Sequence, residues 1–193
     1  MPAIKKYRLL EDDTIVREGR KLYRIEALRD FFNQNAYVRK GVLGGYVESE
    51  ANLSQEGDCW LFDEACAYEE ARVEGEAMMT GHATLRGKAK LHHRARMKSR
   101  SIVQGKAIIG GESYLDEDAF VEGNAILTGN IILSQKAYVG GNAILQGPNR
   151  FYMEIQGNTI IQGNAMVLGS GMIEDEDAFF DEGIITLDVD ASR

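Results

Sequence analysis

The side chains best suited to chemistry fall between positions 82 and 100. The chain holds three histidines, His82, His92 and His93, each at or beside a predicted turn. An imidazole placed there could serve as a general base. It could equally be a solvated turn residue, because no long loop adjoins the three in the sequence to close a site over them. Seven basic residues fill the stretch from 86 to 100 around His92 and His93 without an intervening acid: Arg86, Lys88, Lys90, Arg94, Arg96, Lys98 and Arg100. Such a band could hold the phosphates of a nucleotide-like cofactor, a nucleic acid or an acidic partner. Other machinery is missing from the pattern. Three histidines and two cysteines lack metal-ligand spacing, so no metal is expected. The glycines obey a different rule from that of a phosphate cradle, and no Ser-His-Asp arrangement can be argued.

The elements that must position these residues follow from one repeat. Every sixth residue from Ala65 to Ala143 is small with one exception: of these fourteen positions eleven are alanine, two, Ser101 and Ser113, are serine, and one is Ile131. Two residues after each stands an apolar one, as at Val73, Leu85, Leu91, Val103, Leu115, Val121, Leu127 and Val139. Two further on, glycine is the commonest choice, as at Gly75, Gly87, Gly105 and Gly123. A period of six is not helical, since the turn of an α-helix would smear the alanines around the axis. Residues two apart share one side of a strand, and the glycine enters positive φ to turn the chain. A short strand and a turn, repeated, wind into a solenoid. The alanine suits a narrow corner and the aliphatic residue fills the middle.

The units Val121-Glu122-Gly123-Asn124-Ala125-Ile126 and Val103-Gln104-Gly105-Lys106-Ala107-Ile108 read aliphatic, any, glycine, any, small, any. In this the chain resembles the hexapeptide-repeat family, the left-handed parallel β-helix of many acyltransferases, over roughly residues 47 to 187. The resemblance implies triangular coils of three hexads each and trimeric assembly. If activity comes with the fold, it also implies an acyl-CoA donor and a histidine as general base on the acceptor hydroxyl or amine. The left hand is implied by the resemblance alone, because the general rule for parallel crossovers gives the opposite. The stretch from Lys21 through Gly44-Gly45-Tyr46-Val47-Glu48-Ser49-Glu50 to Asn52-Leu53-Ser54-Gln55-Glu56-Gly57 resembles the leader of a subgroup, the YdcK-like transferases and similar phage and prophage proteins. That subgroup has no assigned substrate.

The expected fold is all-β: a left-handed parallel β-helix of about eight triangular coils with a small N-terminal β cap. Residues 1–45 form the cap, 46–187 the helix, with a loop at 147–154 bulging from one corner, and 188–193 a frayed tail. Tyr7-Arg8-Leu9-Leu10 and Thr14-Ile15-Val16 read as a hairpin, and Lys21 to Leu28 as a further strand. The register slips by two before Leu61, breaks at Gly147 and resumes four late at Ile155, reaching Phe179 and Ile185. Stacking of hexads three repeats apart would set Arg94 between Glu76 and Glu112, His92 over Glu74, Lys88 near Glu70, Lys98 near Asp116, and Arg100 near Asp118. Such ladders would largely neutralise the basic band.

The outward residue after each small one turns apolar from position 102: Ile102, Ile108, Tyr114, Phe120, Ile126, Ile132, Tyr138 and Ile144. Solvated faces should be polar there. Either these residues are β-formers tolerated in the open, or they are buried against another subunit, since monomers rarely expose such patches. A homo-oligomer, with a trimer favoured, is expected.

Composition bounds the rest. The 193 residues suit one domain. Cys59 and Cys66 are too few for a disulfide framework and are expected to be reduced, buried and inert. The start lacks an apolar signal region and no apolar run is long enough to span a bilayer, so a cytoplasmic protein without membrane contact is expected. The net charge of −8 argues against general nucleic-acid binding. Charge is segregated, however: +4 over residues 1–40, −9 over 41–85, +8 over 86–106 and −11 over 107–193. The acids at 174–177 and 181–182 could keep the open sheet edge from stacking, or compete with nucleic acid for a basic partner. Two functions remain. The first is a non-catalytic interaction or assembly module of phage or prophage type, binding a protein partner through its charged surface and needing no cofactor. The alternative is an acyltransferase with a CoA-type donor, in which His82, His92 or His93 is the base and the basic band holds the donor's phosphates.

Overall fold

The computed structural model describes residues 5–174 and 178–187. Expectations for residues 175–177 and for the tail at 188–193 lie outside the described residues. From residue 60 the chain makes two- to four-residue strands that fall, in turn, on three parallel sheets. Face 1 carries Cys66–Ala67, Thr84–Leu85, Ile102–Val103, Phe120–Val121, Tyr138–Val139, Ile160–Ile161 and Phe179–Phe180. Face 2 starts at Arg72–Val73 and ends at Ile184–Leu187, and face 3 starts at Trp60–Leu61 and ends at Gly171–Glu174. Partners through the regular part are three hexads apart, as in Thr84↔Ile102, Lys90↔Ile108 and Arg96↔Tyr114. The result is a parallel β-solenoid of about eight coils, roughly 38 Å long at about 4.8 Å per layer.

The repeat sorts residues as its spacing requires. Val73, Leu85, Leu91, Val103, Leu115, Val121, Leu127 and Val139 are wholly buried, as are the corner alanines from Ala65 to Ala143. Ser101 and Ser113, which replace alanine, are also buried, and their hydroxyls donate to Lys98 O and Gly110 O at 2.7 and 2.8 Å. A buried hydroxyl so paired loses little by leaving water.

The register slips fall where the sequence puts them. Val47 pairs Ala67 and Leu53 bridges Val73, both two beyond the regular step, whereas Leu61 pairs Met79 at that step. Leu133 pairs Ile155, four beyond it, which accommodates the loop after Gln146. The expectation for Phe179 is corrected. Ile161 pairs Phe180, one position beyond the regular step, so Phe179 points out and is 58% exposed.

The cap is an extension of face 1. Strands β1 (Tyr7–Arg17) and β2 (Arg20–Ala27) form an antiparallel hairpin, and β3 (Phe31–Asn33) and β4 (Ala36–Val38) form a second. Strand β2 pairs with β5 (Leu43–Val47), the first strand to run parallel with the coils. Tyr7 and Phe31 pack edge-on to the buried Trp60 ring and cover the entrance. At the corners, N–H groups of one coil donate to carbonyls of the next, as in Asp58 N to Gly75 O and Glu76 N to His93 O. The first coil has no coil beneath it, so its carbonyls need other donors. Side chains of the cap supply them: Lys6 Nζ to Cys59 O at 2.9 Å and Gly57 O at 3.3 Å, Tyr7 OH to Leu53 O at 2.6 Å, and Asn33 Nδ2 to Asp58 O at 2.7 Å. Carbonyls left unpaired at a buried end would each cost about 1–3 kcal/mol.

Candidate functional site

The three histidines separate. His82 lies at the corner between faces 3 and 1, in a groove of about 310 Å³ beside Glu18, Cys66, Tyr68 and Arg86. His92 and His93 lie together at the corner between faces 2 and 3, in a groove of about 630 Å³ that also meets Glu76, Arg94, Glu112, Thr128 and Asn149. There the Nδ1 atoms of His92 and His93 stand 2.5 Å apart. Such a contact requires one proton between the rings, one nitrogen donating and the other accepting. Partial burial, and then the neighbouring His93, lower the His92 pKa and favour its neutral form.

The backbone makes room for this pair at two points. His93 has φ 58°, the left-handed conformation held by Gly75 below it and Gly111 above it, both at 71°. A residue with a Cβ loses about 1 kcal/mol in that conformation. The same conformation occurs at Asp63, Glu69, Ser99, Glu117 and Gln135 on the other corners, so His93 is distinguished by its column and not by its φ. Gly110 has ordinary φ, but a Cβ there would stand 2.6 Å from Cε1 of His92. Glycine at 110 is what lets the His92 ring come this close to the next coil.

A loop does adjoin these histidines, contrary to expectation. The chain between Gln146 and Met153 leaves the solenoid at the same corner, three layers on, and Asn149 lines the histidine groove. The loop does not bury the outward apolar run: Phe151 and Tyr152 are 57% and 55% exposed, and only Tyr152 borders Tyr114 and Ile132.

The basic residues are not gathered on one side. Arg86 and Lys88 lie on the corner between faces 1 and 2, Lys90 on face 2, Arg94 on the histidine corner, Arg96 on face 3, and Lys98 and Arg100 on the last corner. The stretch from 86 to 100 nearly completes one coil of three hexads, so a run in sequence becomes a belt around the axis. Most of the belt is paired. Arg94 Nε lies 4.0 Å from Glu76 and 3.6 Å from Glu112. Lys88 meets Glu70 at 3.3 Å, and Arg100 makes two 2.8 Å bonds to Asp118. The cap contributes partners the sequence did not suggest: Glu18, at the tip of the first hairpin, pairs with Arg86, and Gln34, at the tip of the second, accepts from Arg96. Lys98 lies over the Tyr114 ring. Arg94, already matched by two carboxylates, is a poor clamp for a phosphate. Among the described residues no group of three His, Cys, Asp or Glu could hold a metal.

The outward apolar residues also divide among the faces. Ile102, Phe120 and Tyr138 stack on face 1, Ile108, Ile126 and Ile144 on face 2, and Tyr114 and Ile132 on face 3. Each is half-buried in the single chain, because neighbours one coil apart cover one another. The Phe120 and Tyr138 rings stack at 5.7 Å, and Tyr138 OH donates to Glu122 at 2.6 Å.

Chemically, the histidine corner can pass one proton and the belt can exchange ion pairs. Compared with known proteins, the chain matches no family model and no curated protein. Among the described residues no helix is long and apolar enough to cross a membrane.

Proposed function

We propose that this chain is a non-catalytic β-solenoid module that assembles with its own copies and docks a protein partner. The observation that carries the reading is the outer surface of face 2. Arg72 and Lys90 stand side by side on its first coils, and Ile108, Ile126 and Ile144 stack above them in register. A basic patch continuous with an apolar strip suits a protein surface with an apolar centre and an acidic rim. The resemblance to hexapeptide-repeat proteins supports left-handed coils and a trimer, and the resemblance of residues 21–57 to the phage and prophage subgroup supports such a setting. The test is the mass of the particle in solution by light scattering, for the native chain and for Ile126→Lys with Ile144→Lys. An oligomer that the double substitution disperses into folded monomers supports the module. A native monomer that retains no partner overturns it.

A second reading, transfer of an acyl group from a CoA-type donor, is favoured by the groove that His92 and His93 share with Asn149. In it the histidine pair takes the proton of an acceptor hydroxyl or amine. Acyl transfer from a labelled acyl-CoA, lost in His92→Ala, would support it over the first.

A further inference from the structure

The entrance of the solenoid holds two nucleophiles that the proposed function leaves unused. Lys6 and Cys59 are both wholly buried, and Lys6 Nζ lies 3.3 Å from Cys59 Sγ. Few lysines are fully buried, and this one does more than cap carbonyls, since one of its three contacts is the sulfur. The thiol has its own acceptor, Val73 O at 3.4 Å, which leaves a sulfur lone pair facing the amine. Burial lowers the Lys6 pKa, moving it towards the neutral amine, and raises that of Cys59. At 3.3 Å the amine and the sulfur are in direct contact, near enough for one oxygen atom to bond to both once the N–H and S–H hydrogens are gone.

We propose that Lys6 and Cys59 form an oxidative N–O–S cross-link, with dioxygen as oxidant. The stoichiometry closes: amine, thiol and one O2 give Lys–NH–O–S–Cys and one water. The N–H and S–H bonds break, and N–O and O–S bonds form. Nitrogen and sulfur each give up two electrons, and the four reduce both atoms of O2. One oxygen stays in the bridge, and the other leaves as water with the two hydrogens released. Dioxygen is small and apolar enough to reach a buried pair. The bridge would join positions 53 residues apart and staple the residue that precedes β1 to the first coil, so that the cap could no longer lift from the entrance. Cys66 serves as an internal control: it too is buried, but its sulfur faces Thr84 Oγ1 at 3.5 Å instead of an amine.

The experiment uses the whole chain, kept either in air or under argon with a reductant, then denatured, alkylated and digested. The expected result in air is a linked pair of peptides containing Lys6 and Cys59, heavier than their sum by one oxygen and lighter by two hydrogens, while Cys66 alkylates normally. Reduction should abolish the linked pair and return Cys59 to alkylation. The air-kept protein should melt about 5 °C higher than the reduced one, and Cys59→Ser should show neither the link nor the shift. The proposal is overturned if Cys59 alkylates as readily as Cys66 after exposure to air. A link lacking the added oxygen, or Cys59 oxidised without Lys6, overturns it as well.

Discussion

The coil at residues 86–100 and the coils at 102–144 have one interior and opposite exteriors. Inside, Leu91 and Leu127 occupy equivalent wholly buried positions on face 2, each two residues after a buried alanine. Outside, the first carries a belt of cations tied to carboxylates one layer away, and the others carry stacked isoleucines and aromatics. The difference shows that the fold constrains the inward residues and leaves the outward ones free. Ion pairs between layers contribute little at a wet surface, whereas the inner rows bury apolar area in every coil.

Truncating the shared interior should give the largest effect. Leu91→Ala and Leu127→Ala should each cost about 2–5 kcal/mol, with closely similar losses by denaturant unfolding. A large loss at one position and little at the other would mean that the coils are not equivalent inside.

The exteriors should separate by pH. The bond from Tyr138 OH to Glu122 holds the Glu122 carboxyl below its usual range, and burial with that same bond pushes the Tyr138 phenol up to about 12. The phenol keeps its proton longer when folded, so its contribution is full below about pH 10 and is lost as pH rises towards 12. Glu122 acts in the opposite sense: its contribution is present above about pH 4.3 and is lost as pH falls through its lowered folded value. Tyr138→Phe should therefore flatten the alkaline arm of the stability profile and soften the acid arm. An unchanged alkaline arm would show that the pair is not formed in solution.

The smallest effect is expected on the belt. Arg94→Glu aligns three carboxylates at positions 76, 94 and 112 and should lower the melting temperature by an amount equivalent to roughly 1 kcal/mol per lost pair or less. The loss should shrink in high salt, where surface charges are screened. If the substitution instead abolished acyl-CoA binding with the melt unchanged, the groove would be a donor site and the second functional reading would gain.

Much of the solenoid was legible because a six-residue period with alternate burial leaves few ways to fold. The phase slips before Leu61 and after Leu145 were visible for the same reason: a closed coil must return to register, so inserted residues can be counted. Phe179 was misjudged because one extra residue before it shifts every side chain to the opposite side of the sheet. The histidine loop was legible in principle. Gly147 lies three full coils beyond His93, and that arithmetic places the two on one corner.

The order of amino acids settles the interior: which residues stack, how many coils form, and which opposite charges meet one layer apart. How the outside is shared among faces, and what the cap reaches, emerges only on winding. A run of cations became a belt and a run of apolar residues became three ladders, because winding spreads neighbours in sequence around an axis. Glu18, Gln34 and Lys6 found Arg86, Arg96 and Cys59 because the cap's hairpins and first strand lie against coils 53 to 68 residues away. No periodic pattern encodes such contacts, since the cap lies outside the repeat.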